Sequence, residues 1–166
     1  MRGLSGRLVR GVLAGVAGTA AMTAHQELRQ RLSDEQGDGD QGEQSDPWES
    51  APAPALVGKR LIEGLLHRPV PASAIPALNQ VMHWGYGTSW GAVYAIAGRP
   101  LRRAPKWLRG PVFGLDVWIA SYVQLVPAGI YEPPWRYPLR SILDEVAYHV
   151  TYGSTVAVGY RALNGS

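Results

Sequence analysis

Four stretches of the chain, 8–27, 76–98, 110–130 and 142–163, carry few charges and are built largely from Gly, Ala, Val, Leu and aromatic residues. Each is close to the ~20 residues with which an α-helix crosses the hydrocarbon core of a bilayer. Two architectures accommodate such segments: helices stacked in a soluble bundle, and helices embedded in lipid. The 166 residues suffice for one domain, and no repeat of solenoid period is visible.

The mean hydropathy of −0.11 suits the soluble alternative, because Gly, Ala, Tyr and Trp take many places that Leu and Ile usually fill. Three patterns favour lipid. An acidic block of Asp34, Glu35, Asp38, Asp40, Glu43, Asp46 and Glu49 follows the first segment, and a basic block of Arg99, Arg102, Arg103, Lys106 and Arg109 follows the second. The positive-inside rule puts these on opposite faces of a membrane. With Arg2, Arg7 and Arg10 inside, four crossings bring Arg161 back inside, so that the N- and C-termini are both cytoplasmic.

Aromatic residues give the second pattern: Trp107 flanks the inner surface, while Tyr131, Trp135 and Tyr137 crowd the outer loop, at the depth amphipathic rings prefer. Small residues at intervals of four give the third, Gly11, Gly15 and Thr19 on the first segment and Gly87, Gly91 and Ala95 on the second. In lipid such stripes let helices approach closely, whereas a helix in water loses about 1 kcal/mol for each Gly in place of Ala.

The expected fold is therefore all-α, a polytopic four-helix transmembrane bundle forming a single membrane domain. A short amphipathic interfacial helix is expected over 55–68, with Val57, Leu61 and Leu65 on one face and Lys59, Arg60, Glu63 and Arg68 largely opposite. Residues 33–55 read as a disordered acidic external loop, too poor in apolar side chains to bury. A competing reading takes Arg2, Arg7, Arg10 and "GVLAGVAGTAA" as a signal peptide, but three glycines dilute its apolar core and the helical pattern continues through "HQELRQRL".

The chain has no cysteine, which removes disulfides and thiolate metal sites. No nucleophile elbow, phosphate loop, zinc-protease motif or dinucleotide fingerprint is present, so an enzyme is not expected and no cofactor or metal is assigned. The basic block lacks any recognisable nucleic-acid-binding motif, and nucleic acid is not an expected partner.

Chemistry is expected from ionisable groups inside the segments, because these are costly in a bilayer unless they face protein or water and find partners. His25, His83 and His149 fall toward the outer ends of three segments. His83 lies about 10 Å along a helix that starts at Pro76, and His149 about 12 Å along one that starts at Ile142. Glu145 and His149 share a face at i,i+4 spacing, continuing into Gly153. Glu145, His149, His83 and His25 thus form a candidate polar cluster, read either as a proton- or ion-responsive site or as an interhelical hydrogen-bond clamp.

Ser141 and Asp144 fit a capping box that starts the fourth helix. Asp116 is a second intramembrane acid nearer the inner side, with Arg10 or Arg161 as candidate ion-pair partners, while Ser121 and Gln124 leave open a second station on a transport path.

The stretch "GPVFGLDVWIASYVQLVPAGIYEPPWRYPLRSILDEVAYHVTYG" resembles the YagU-like family of small bacterial inner-membrane proteins, as does "HWGYGTSWGAVYA" in the second segment. The features that carry the resemblance are the early "FG", the "PAG", Pro133, Pro134 and Trp135, Pro138, Glu145 and His149. It covers the four segments but not the acidic loop. The resemblance implies a multi-span inner-membrane protein and supplies no catalytic residue or cofactor.

The sequence thus reads as a small integral membrane protein with a buried His/Glu constellation, proton-responsive and linked to acid or envelope homeostasis. The alternative is a noncatalytic scaffold or partner-binding subunit in which the same cluster is structural, and a membrane metalloenzyme ranks below both. Expected partners are the lipid bilayer and either a second copy or another membrane protein.

Overall fold

The computed structural model describes residues 3–35, 46–97 and 104–165. Among them the chain is all-α: α1 (Leu4–Glu35), α2 (Ala53–Leu66), α3 (Ile75–Ala97), α4 (Arg109–Leu125) and α5 (Leu139–Leu163), with short 3-10 turns at Ala72–Ala74 and Pro134–Arg136. Residues 36–45 of the expected acidic loop, together with Arg2, Arg99, Arg102 and Arg103, lie outside the described residues.

The first segment continues as a helix beyond 27, as its pattern through "HQELRQRL" suggests, and ends at Glu35. At 32 residues α1 is about 48 Å long. It packs on α3 and α5, α5 packs on α4, and α3 closes the ring through aromatic contacts to α4: Tyr94 and Phe113 meet at 4.8 Å between ring centroids and Trp90 and Phe113 at 6.2 Å. The four long helices form an antiparallel bundle around Tyr152, Val156, Phe113, Val117, Ala14 and Met22, with α2 lying against α3.

Glycines set the two closest interfaces. A Cβ on Gly11 would sit 2.6 Å from the carbonyl oxygen of Gly91, and one on Gly91 would sit 2.5 Å from the Cα of Gly15. Between α4 and α5, a Cβ on Gly110 would sit 2.5 Å from the Cα of Ser154, and one on Gly153 would be 2.7 Å from the Cα of Gly114. These obstructions are backbone atoms, which no rotamer change can move aside. The stripe of small residues expected on α1 and α3 is this interface.

Two boundaries differ from expectation. The helix α4 ends at Leu125 rather than near 130, because Pro127 has no N–H to continue the ladder and Gly129 turns the chain at φ 63°. The amides of Ile130 and Tyr131 bond back to the carbonyl of Leu125 at 2.9 and 3.2 Å. The helix α5 starts at Leu139, with Pro138 as its N-cap and no side-chain cap. The capping box of Ser141 and Asp144 is thereby corrected: both residues already lie inside the helix, and Asp144 is used elsewhere.

At one end of the bundle the N-terminus of α1 meets the C-termini of α3 and α5. Arg7 donates to the carbonyl of Ala95 at 2.6 Å, satisfying a helix-end acceptor, and Arg10 bonds the side chain of Asn164. Lys106, Arg109 and Arg161 share this end. The helix α2 packs on α3 through Ala55 and Gly58, while Leu61, Leu65 and Leu66 are exposed. No helix among the described residues is long and apolar enough to cross a membrane.

Candidate functional site

The opposite end of the bundle carries the polar side chains singled out in the sequence. The antiparallel register of α4 and α5 follows from Gly114 against Gly153. Moving eight residues along α4 and eight back along α5 brings Tyr122 level with Glu145. Tyr122 Oη donates to Glu145 Oε2 at 2.8 Å and Trp118 Nε1 donates to the same oxygen at 3.2 Å. Trp118 and Tyr122 are spaced i,i+4 and so share a face of α4. Tyr131 and Tyr137 fold back over Tyr122, with ring centroids 5.1 and 6.4 Å away. Tyr137 is fixed in turn by the amide of Glu132, which donates to its hydroxyl at 3.0 Å. Burial first, and the charge of Glu145 second, push the Tyr131 hydroxyl well above the ordinary tyrosine range, so it stays protonated.

His149 is next to Glu145 but does not bond its carboxylate. Its Nδ1 lies 2.8 Å from the carbonyl oxygen of Glu145, and since a carbonyl only accepts, Nδ1 carries the proton and Nε2 points away from that bond. His83 approaches Thr23 of α1 through Nε2 at 3.3 Å. His25 sits between α1 and α5, its Nδ1 2.9 Å from Thr151 Oγ1 and its ring edge-on to Tyr148 at 4.9 Å. Thr151 gives its only hydroxyl proton to the carbonyl of Ala147, so His25 Nδ1 is the donor in that pair.

The four candidate residues are all half-buried rather than fully enclosed. They occupy one end of the bundle but separate contacts: Glu145 with α4, His149 with the carbonyl of Glu145, His83 with α1, and His25 on the α1–α5 seam. Among the described residues no group of three or more His, Asp or Glu side chains is placed to hold a metal ion. Asp144, the misread cap, pairs with Arg29 of α1 at 2.6 Å.

Asp116 is exposed on α4, and among the described residues no ion pair joins it to Arg10 or Arg161. Ser121 bonds the carbonyl of Trp118 and Gln124 donates to the hydroxyl of Tyr86 at 3.1 Å, linking α4 to α3. Of the proline-rich loop, Pro133 is extended, Pro134 opens the 3-10 turn, and Trp135 is 81% exposed. Tyr131 and Tyr137 lie with Trp135 in the connection between α4 and α5 and cover the Glu145 contact.

The partners of Glu145 escaped the sequence reading, which looked for charges and histidines. The i,i+4 pair Trp118 and Tyr122 and the glycine register of α4 on α5 were the available signals. The chain matches no known protein family, and no curated protein or solved structure is significantly similar to it.

Proposed function

We propose that the chain is a small membrane-embedded helical module, noncatalytic, whose polar residues clamp its helices together and whose outer surface meets lipid and a membrane partner. The observation that carries this reading is the number of large apolar side chains exposed along the four long helices. Leu115, Ile119 and Val123 make an exposed stripe at i,i+4 spacing on α4, and Val9, Val12, Leu13 and Val16 on α1, Val93 and Ile96 on α3 and Val158 on α5 are exposed as well. The closest helix contacts are lined by Gly, Ala, Ser and Thr, beside a core of Tyr152, Val156, Phe113, Val117 and Met22. An exterior rich in apolar side chains, interrupted on α4 by Asp116 and Gln124, over close small-residue seams suits lipid and is disfavoured in water.

Every member of the polar end bridges elements of the bundle or braces a residue that does, which is the behaviour of a clamp. Fractionation of cells expressing the full chain tests this. Retention in the membrane pellet through high salt and alkaline washing, with release by detergent, is expected; release by salt or alkali alone contradicts it.

A second reading, in which protonation biases helix packing in a role in acid or envelope homeostasis, draws on the gathering of Glu145, His149, His83 and His25 at one end of the bundle. Proton flux into proteoliposomes, compared for the wild type, Glu145→Gln and His149→Ala with folding checked by circular dichroism, separates the readings. Flux lost in folded variants supports a pathway; no wild-type flux under any gradient leaves the clamp.

A further inference from the structure

At the end opposite the His/Glu cluster, a cavity of about 320 Å³ opens between the start of α4 and the last turns of α5. Its polar wall carries Lys106 and Arg161, and its apolar wall is formed by Pro111, Ala157 and Val158, with Trp107 at the rim. Trp107 is 75% exposed. Lys106 and Arg161 form no ion pair with any described residue. The described charges at this end are Arg7, Arg10, Lys106, Arg109 and Arg161, with Asp116 about one and a half turns further along α4.

The geometry points to a binding site for the phosphate headgroup of an anionic phospholipid, with Lys106 and Arg161 neutralising the phosphate and Pro111, Ala157 and Val158 taking the first part of an acyl chain. Charge complementarity selects an anion, because two cations face one opening with no acid among its lining residues. The apolar wall and the rim tryptophan select an amphiphile over a free ion. Basic pockets between helices at the cytoplasmic interface suit acidic headgroups, and tryptophan prefers that depth. The site rests on the membrane-embedded reading for its lipid source, but its anion chemistry can be measured without it.

The test uses the full chain purified in a zwitterionic detergent, with added phosphatidylglycerol, phosphatidylcholine or inorganic phosphate as probes, and thermal unfolding and native mass spectrometry as readouts. Phosphatidylglycerol is expected to bind and raise the melting temperature above the level reached with phosphatidylcholine. The pair Lys106→Gln and Arg161→Gln together should weaken that preference roughly 25-fold, about fivefold per cation. The control pair Arg68→Gln and Arg140→Gln changes net charge equally at exposed positions away from the cavity, and should leave it unchanged.

Equal binding of the two lipids, or equal loss in both double variants, overturns the site. Full stabilisation by inorganic phosphate alone overturns the lipid source and leaves an anion site. If Lys106→Gln with Arg161→Gln fails to fold, Ala157→Trp, which fills the apolar wall, must lower phosphatidylglycerol binding while keeping the charge. A chain that stays in solution without detergent overturns the membrane reading, and inorganic phosphate then tests the two cations by themselves.

Discussion

The two ends of the bundle hold their helices together by different means. At the end that gathers the N-terminus of α1 and the C-termini of α3 and α5, backbones touch: Gly11 and Gly15 lie against Gly91, and Gly110 and Gly114 against Gly153 and its neighbours. At the other end side chains span wider gaps, Tyr122 and Trp118 reaching Glu145, His25 reaching Thr151 and Arg29 reaching Asp144. The difference teaches which part can move. A backbone contact either fits or fails, whereas a hydrogen bond between side chains can lengthen, exchange or titrate.

The largest effect should come from the backbone end. Gly91→Leu forces a side chain into the Gly11 and Gly15 backbone and should cost upwards of about 3 kcal/mol, since overpacking cannot relax there. Gly85, six residues earlier on the same helix, has open space around its Cβ position, so Gly85→Ala should be neutral or stabilising by up to about 1 kcal/mol. Thermal unfolding of the two variants reads the contrast directly. Equal effects would mean that the glycine seam is not what holds α1 to α3.

At the side-chain end the effects should be smaller. Glu145→Leu strands the Tyr122 and Trp118 donors and should cost about 1–3 kcal/mol, while Tyr122→Phe, which leaves Trp118 in place, should cost about 1 kcal/mol. Thr151→Val removes the acceptor of His25 and should cost about 0.6 kcal/mol, the ordinary scale of an interhelical hydrogen bond in lipid. Melting temperatures of the three variants should fall in that order.

How much of this was legible in the sequence depends on the kind of interaction. Helix number, order and the α1–α3 contact followed from charge-poor length and from glycines four residues apart, because a close helix approach demands small residues at helical spacing. The end of α4 was misplaced because Pro127 lies in an apolar run that otherwise continues to Ile130, and a hydrophobic count cannot see a missing N–H. Ser141 and Asp144 match the capping pattern, but Pro138 starts the helix a turn earlier and frees Asp144 for Arg29, which is remote in sequence. For Glu145 and His149 the shared face was readable; that the carboxylate turns to two neutral aromatic donors on α4, and not to a histidine, needed the α4–α5 register.

The weakest contacts are the surface ion pairs. A double-mutant cycle on Arg29→Gln and Asp144→Asn should give a small coupling that shrinks as salt rises, because both side chains are about one-third exposed. Glu63 offers a pH test. Lys59 first, and the amide of Val70 second, hold its carboxyl below the ordinary glutamate range. A depressed folded pKa means the contribution is present above the unfolded value of about 4.3 and is lost as pH falls through the folded value. Loosening of the segment around Val70 from α2 in acid, followed by amide hydrogen exchange at Val70 against a Glu63→Gln control, should show this; an identical acid response in the control would refute it.

The central claim is that the apolar exterior faces lipid, and the absence of cysteine allows a direct measurement. Single variants Val93→Cys, Ile119→Cys and Val158→Cys place a thiol on that exterior, while Ser141→Cys and Arg68→Cys place one at exposed polar positions. Membranes containing each variant are treated with a water-soluble maleimide before and after denaturation. The account predicts that the three exterior thiols stay unlabelled until the membrane is dissolved and the chain denatured, while at least one polar-position thiol reacts in opened vesicles. Prompt labelling of Val93→Cys, Ile119→Cys and Val158→Cys, at the rate of the polar positions and without detergent, would contradict it.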